Sequence, residues 1–311
     1  MDYMGEMVKL MRRSMIAAAL GAGMSATIAH AQVPVAPVPL APMAPPGAMS
    51  PDISAFYQQF PSTKLWFKNG PDNQAIDRLI TILKRSPFDG LGNGAALASA
   101  VEAARASAAT GDPTAIAAAE RAMSMAWVEY ATLLKQPTPG MRYEIPYLAP
   151  KNTQPFQILI TAMAAPSLAA HLDDVANPNV FYTQIRDTAY AAGQASGNLA
   201  PDPRVLANLQ RLRSIPNKGR FMVVDSGNQM LTLFENGRPF DQMKVVAGKS
   251  EYPTPMMASI MYYIVYNPYW NAPDHLVRKI AQNYLTMGDS YLKSRGYQVM
   301  RDWTASSEIM P

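Results

Sequence analysis

The sequence predicts an α+β protein, a helical domain followed by a β-rich segment, on three observations. Between Asp72 and Arg213 apolar residues recur at helical spacing. After Asn217-Lys218-Gly219 the apolar period shortens to that of a strand. Ahead of both lies a proline tract with neither period.

The amino terminus reads as an export signal. Lys9, Arg12 and Arg13 form a positive region, and an uncharged run follows from Ser14 to Ala29. Ala29 and Ala31 then place small side chains at the two positions a signal peptidase inspects, so cleavage is expected between Ala31 and Gln32. The apolar run of about 16 residues is shorter than the roughly 20 that span a bilayer, and Gly21, Gly23, Ser25 and Thr27 dilute it. An uncleaved anchor is the alternative. No later segment reaches membrane-spanning length without charges, so no membrane span is expected in the mature chain.

Removing residues 1–31 takes away Lys9, Arg12 and Arg13 against Asp2 and Glu6, which lowers the formal charge of +4 by one. A balance so small and dispersed gives no case for a nucleic-acid partner. It suits an acidic envelope polymer and ordinary solubility alike. The chain has no cysteine, so stability in an oxidising compartment must come from packing rather than disulfides.

Residues 32–71 read as a Pro/Ala-rich linker, with prolines at 34, 37, 39, 42, 45, 46 and 51. Proline at that density removes backbone donors and favours an extended chain, a tether or a disordered stretch.

Residues 72–216 read as the helical domain. Ile76, Leu79, Ile80 and Leu83 form one apolar stripe that Pro87-Phe88-Asp89-Gly90 ends. Gly111-Asp112-Pro113 then supplies a stop, an N-cap and a first-turn proline. Ile116, Glu120, Met123, Trp127, Tyr130 and Leu134 advance by three or four from there to Pro137. Further helices are expected near Phe156–Leu172, interrupted at Pro166, near Val180–Ala192, and after the start signal Asp202-Pro203.

Residues 217–311 read as the β-rich segment. Strands are expected over 220–225, 229–235 and 240–246, with Asn236-Gly237 supplying the chemistry of a tight type I′ hairpin. A fourth strand is expected over Ser259–Tyr266, where Ile260, Tyr262, Ile264 and Tyr266 alternate with Met261, Tyr263 and Val265. Both of its faces are apolar, as in a strand covered on two sides. Helix returns from Pro273 through Tyr284.

The order of these landmarks resembles a known family. Asn208–Pro216, Phe221–Glu235, Asn236-Gly237-Arg238, Val245–Lys249, Pro253-Thr254-Pro255 and Asn267–Pro273 follow in sequence the landmarks of the large periplasmic L,D-transpeptidases with a YkuD-type catalytic domain. The preceding helices are similar to the scaffold domain of the same subfamily. The resemblance implies a helical scaffold domain over 72–216 and the first, β-rich half of the catalytic domain over 217–311. It implies periplasmic location, peptidoglycan stem peptides and other cell-wall synthases as partners, no cofactor, and acyl transfer between stem peptides. A histidine-activated cysteine thiolate carries that chemistry in the family. The family's nucleophile lies in a histidine, serine-or-threonine, x, glycine, cysteine arrangement that does not occur by Pro311, so the chain is expected to be truncated before it. The small peptidoglycan-binding module of many members has no counterpart between Ala192 and Pro203.

No other group present is expected to substitute, and no catalytic or metal-binding residue is assigned. His275 beside Asp274 reads as a solvated helix start, and His171 before Leu172-Asp173-Asp174 as a solvated helix end rather than a metal site. Gly248-Lys249-Ser250 imitates the tail of a phosphate-binding loop, but Met243 stands where its first glycine belongs and Pro253 forbids the helix that must follow. Trp270 either lines a groove or anchors its loop in the core. Two functions stay open: a transferase whose chain is truncated, and a non-catalytic envelope protein that binds peptidoglycan or a synthase.

Overall fold

The computed structural model describes residues 51–302 and 307–310, without 69, 71, 72, 152, 267–271 and 273. The expected signal peptide and most of the proline tract lie outside these residues. The contacts divide the chain into two compact units, one up to Ser259 and one from Ile260.

The first unit begins where a linker is expected. Helix α1, Pro51–Gln59, buries Ile53, Phe56 and Tyr57, and the following segment buries Leu65, Trp66 and Phe67. The linker expectation is therefore wrong from Pro51 onward. Proline at the first helical position is compatible with helix, and the aromatic residues beyond it have a core to enter.

Helix α2, Gln74–Arg85, is built as its stripe requires. The Asn73 side chain accepts from the Ala75 and Ile76 amides, and Ile76, Leu79, Ile80, Ile82 and Leu83 are buried. A 3₁₀ turn over Ser86–Asp89 stops at Gly90, whose φ of 102° no side-chain-bearing residue adopts without strain. Helix α3, Gly94–Ala108, follows where no helix was expected. Its first residue has no room for a side chain, because a Cβ there would lie 2.6 Å from the Leu83 carbonyl oxygen. Helix α4, Pro113–Leu134, starts on the Asp112 cap and buries Met123, Trp127 and Tyr130.

The remaining helices are α5, Pro155–Ala164, α6, Leu168–Ala176, α7, Val180–Ser196, and α8, Pro203–Leu212. The expected break at Pro166 separates α5 from α6. Helices α1 to α6 contribute to one hydrophobic core around Trp66, Trp127 and Tyr130.

Two buried charges tie this core together. The Glu120 carboxylate accepts from the amides of Leu65, Trp66 and Phe67 at 2.9–3.2 Å and from the Tyr57 hydroxyl at 3.3 Å. Asp89 accepts from the Tyr182 hydroxyl at 2.7 Å and the Tyr130 hydroxyl at 3.1 Å, and lies 3.5 Å from Arg186. Burial pushes both carboxyls above their ordinary pKa, and these donors oppose it.

Strands β2, Arg220–Asp225, β3, Met230–Glu235, and β4, Arg238–Lys244, form an antiparallel meander. The short β1, Arg142–Tyr143, pairs in parallel with β5, Met257–Ala258.

The expected strand over Ser259–Tyr266 is absent as a strand. Its residues remain exposed, Tyr262 at 75% and Tyr266 at 86%. Alternation supplies the two faces of a strand, but a strand also needs a partner edge, and none among the described residues pairs here. The second unit contains this segment, helix α9, Asp274–Met287, and helix α10, Asp289–Arg295. Tyr291 organises its end, accepting from the Asn283 side chain at 2.9 Å and packing at a tilt against Tyr297. A bridge between Met300 and Ile309 brings its last described residues back on themselves.

Candidate functional site

The β-meander is the framework on which a peptide-handling site is expected, and its geometry follows from its turns. Asn236 and Gly237 sit at φ of 51° and 76°, the left-handed pair that a two-residue type I′ hairpin needs. Pairing then starts at Arg238, two residues earlier than expected. It slips once, because Leu233 faces Asp241 while Phe234 faces Pro239, leaving Phe240 as the bulged residue.

One side of the sheet is covered. Phe221 stacks on Phe234 at 5.0 Å, and Phe181 of α7 meets Phe234 edge-on at 5.2 Å. Thr232 and Phe234, two apart and so on one face, are buried. Elsewhere on the meander and just after it Val224, Phe240, Met243 and Val246 are exposed.

The loop after β4 folds on itself. The Gly248 amide donates to the Thr254 hydroxyl at 2.7 Å, and the Tyr252 amide donates to the Lys249 carbonyl at 2.9 Å. A Cβ on Gly248 would lie 2.2 Å from the Tyr252 carbonyl oxygen, so only glycine fits. The Lys249 ammonium sits 5.8 Å from the Tyr252 ring centre and 3.5 Å from Glu251. The segment Gly248-Lys249-Ser250 is thus a turn with its lysine engaged by its own loop.

His171, expected at a solvated helix end, is instead partly covered within a helix. His171 lies on α6, half-buried, with its ring 6.0 Å from Trp127. Burial lowers its pKa, Lys135 lowers it further, and Asp174 raises it. Asp173 is engaged by Arg78 at 3.2 Å. Among the described residues no group of histidine, aspartate and glutamate is arranged to hold a metal. Trp270 and the side chains of Asp274 and His275 lie outside the described residues. The described residues therefore frame a sheet and its loops without a nucleophile–base pair.

Sequence reasoning did not single out Glu120, Asp89 or Arg186 as buried charges. For Glu120 a signal existed: it interrupts an otherwise apolar stripe on α4. Asp89 and Arg186 meet only through the tertiary fold.

Comparison with known families bears on both parts of the chain. Residues 51–188 match the Scaffold domain family, and residues 219–305 match the L,D-transpeptidase catalytic domain family, YkuD. A Haemophilus influenzae protein carried under the name "Putative L,D-transpeptidase" is 27% identical over 97 residues, which are 31% of this chain and 20% of that protein. The match thus spans about a fifth of the relative's length. No solved structure matches. Among the described residues no helix is long and apolar enough to cross a membrane. The chain is thus similar to the L,D-transpeptidases of YkuD type in carrying sequence that matches a Scaffold domain followed by sequence that matches their catalytic domain.

Proposed function

We propose that this protein is a periplasmic member of the L,D-transpeptidase family that engages the stem peptides of peptidoglycan, and that its 311 residues do not themselves perform cysteine acyl transfer. The observation that carries the first part is the docking of the β-meander on the helical domain through Phe181 and Phe234, which holds catalytic-domain strands against the Scaffold domain. The second part rests on chemistry. An amide is a poor electrophile, and the family attacks it with a thiolate. The chain has no cysteine to supply one.

A second reading, a non-catalytic peptidoglycan-binding protein, draws support from the same docking, since a rigid support without a nucleophile suffices for binding. Both readings share one test. Purified protein is pelleted with insoluble sacculi, and its intact mass is measured after incubation with a carbapenem and with stem tetrapeptide. The expected outcome is co-sedimentation with no mass increase. Failure to co-sediment contradicts the peptidoglycan assignment. A stable adduct contradicts the absence of acyl chemistry.

A further inference from the structure

Where α7 begins and the β3–β4 hairpin turns, a cleft of about 390 Å³ opens, lined in part by Val180, Thr183, Gln184, Pro216, Asn217 and Arg238. Three other polar residues on the lining are committed to the fold. Asn177 accepts from Arg186 at 2.8 Å and donates to the Asp173 carbonyl. Asn179 accepts from the Tyr182 amide and donates to the Leu212 and Ile215 carbonyls at 2.7 and 3.0 Å. Asn236 accepts from the Gly219 amide at 2.9 Å. These bonds fix the walls, tying the start of α7 to the end of α8 and the hairpin turn to the start of β2.

The side chains of Gln184, Asn217 and Arg238, by contrast, make no hydrogen bond or ion pair among the described residues. Each amide presents one acceptor and a two-proton donor, the complement of a peptide group. The guanidinium presents a planar fork that fits a carboxylate at two points. Val180 and Pro216 add apolar surface. The volume falls within the range of about 300–1,000 Å³ typical of small-ligand sites. The lining carries no histidine or carboxylate, and its one hydroxyl, on Thr183, donates to the Asn179 carbonyl at 3.0 Å with no base beside it, so this is a place to hold a ligand rather than transform it.

We propose that this cleft, formed jointly by the Scaffold helices and the catalytic-domain hairpin, binds a short acidic peptide, with Arg238 on its carboxylate and Gln184 and Asn217 on its peptide groups. The proposal rests on the peptidoglycan reading, in which the acidic peptide is a stem. It adds a holding site for one stem on the Scaffold side of the sheet.

The test is calorimetric titration of the full chain with a synthetic stem tetrapeptide and with the same peptide carrying amidated carboxylates. Expected are saturable binding of the acidic peptide, at least tenfold weaker binding of the amidated one, and a similar loss in Arg238→Ala with partial recovery in Arg238→Lys. The double variant Gln184→Ala/Asn217→Ala is expected to weaken both peptides. Arg238 is exposed, so the melting temperature of its variants should match the parent. No binding of the tetrapeptide, equal binding by Arg238→Ala, or equal competition by a peptide-free disaccharide overturns the proposal. Sacculus pelleting separates the two levels. If the parent still pellets while tetrapeptide binding is absent, the cleft assignment fails and the peptidoglycan reading stands; if neither occurs, both fail.

Discussion

The helical domain and the residues after it bury apolar surface very differently. Among the described residues the buried apolar side chains fall between Ile53 and Leu209, with Phe234 beyond, whereas the exposed large ones fall almost entirely after Val224. Helix contacts close locally, so each turn of α2 or α4 meets its neighbours within one compact core. A strand's contacts are made with another strand or with a covering layer. In the first unit the meander finds such cover at Phe181, and Ile260–Tyr266 of the second unit stays bare. Intrinsic strand character does not make a strand; an available partner edge does.

The largest break in the comparison should come from the buried ion network. Arg186→Ala leaves the Asp89 carboxylate without its cation, and about 3–5 kcal/mol of stability should be lost. Urea unfolding followed through the core tryptophans, Trp66 and Trp127, measures it, and a loss below about 1 kcal/mol would contradict the network's role.

Phe234→Ala should act on the sheet rather than on the helices. It removes the ring on which both Phe181 and Phe221 pack, at a cost of about 3–5 kcal/mol if the site cannot collapse. Protease cleavage between Lys218 and Ser259 should speed up while the melting of the helical core stays unchanged. A drop in the helical transition of the same size would mean that the two parts fold as one.

At the bare segment the sign of the comparison reverses. Ile264 is 63% exposed, so Ile264→Lys should change stability by no more than about 0.5 kcal/mol. It should also reduce self-association in sedimentation velocity, because a charge interrupts an uncharged run of strand formers. The equivalent change at buried Leu79 should unfold the helical domain.

The smallest effect concerns pH. Burial lowers the pKa of His171 below its ordinary 6.5, so folding favours the neutral ring. The stability this contributes is complete above the unfolded value and is lost as pH falls from there through the folded value. His171→Gln should remove that part of the acid sensitivity of the melting curve; an identical pH profile would show that the ring is neutral for no energetic reason.

Much of the fold was legible because its signals are local. The Asn-Gly turn, the Asp112-Pro113 helix start and the Ile76–Leu83 stripe each depend on residues within a few positions. Helix α3 was missed because its alanines give little contrast between faces, although Gly94, Ala98, Val101 and Ala108 are buried. Helix α1 was lost among the prolines before it, and Trp66 is recognisable as core only once Glu120, far along the chain, holds its amide. Ser259–Tyr266 was misread because alternation reports two faces and says nothing about partners. The cleft beside Arg238 was not legible, because its residues come from three places in the chain that only the fold brings together.

Hydrogen exchange read by mass spectrometry tests the central contrast most directly. Amides of α2 and α4, Gln74–Arg85 and Pro113–Leu134, should be the slowest, the β2–β4 meander intermediate, and residues 260–266 exchanged at the first time point. Protection of residues 260–266 equal to that of α4 in the monomeric protein would contradict the account, since it would require a partner edge that the fold described here does not contain.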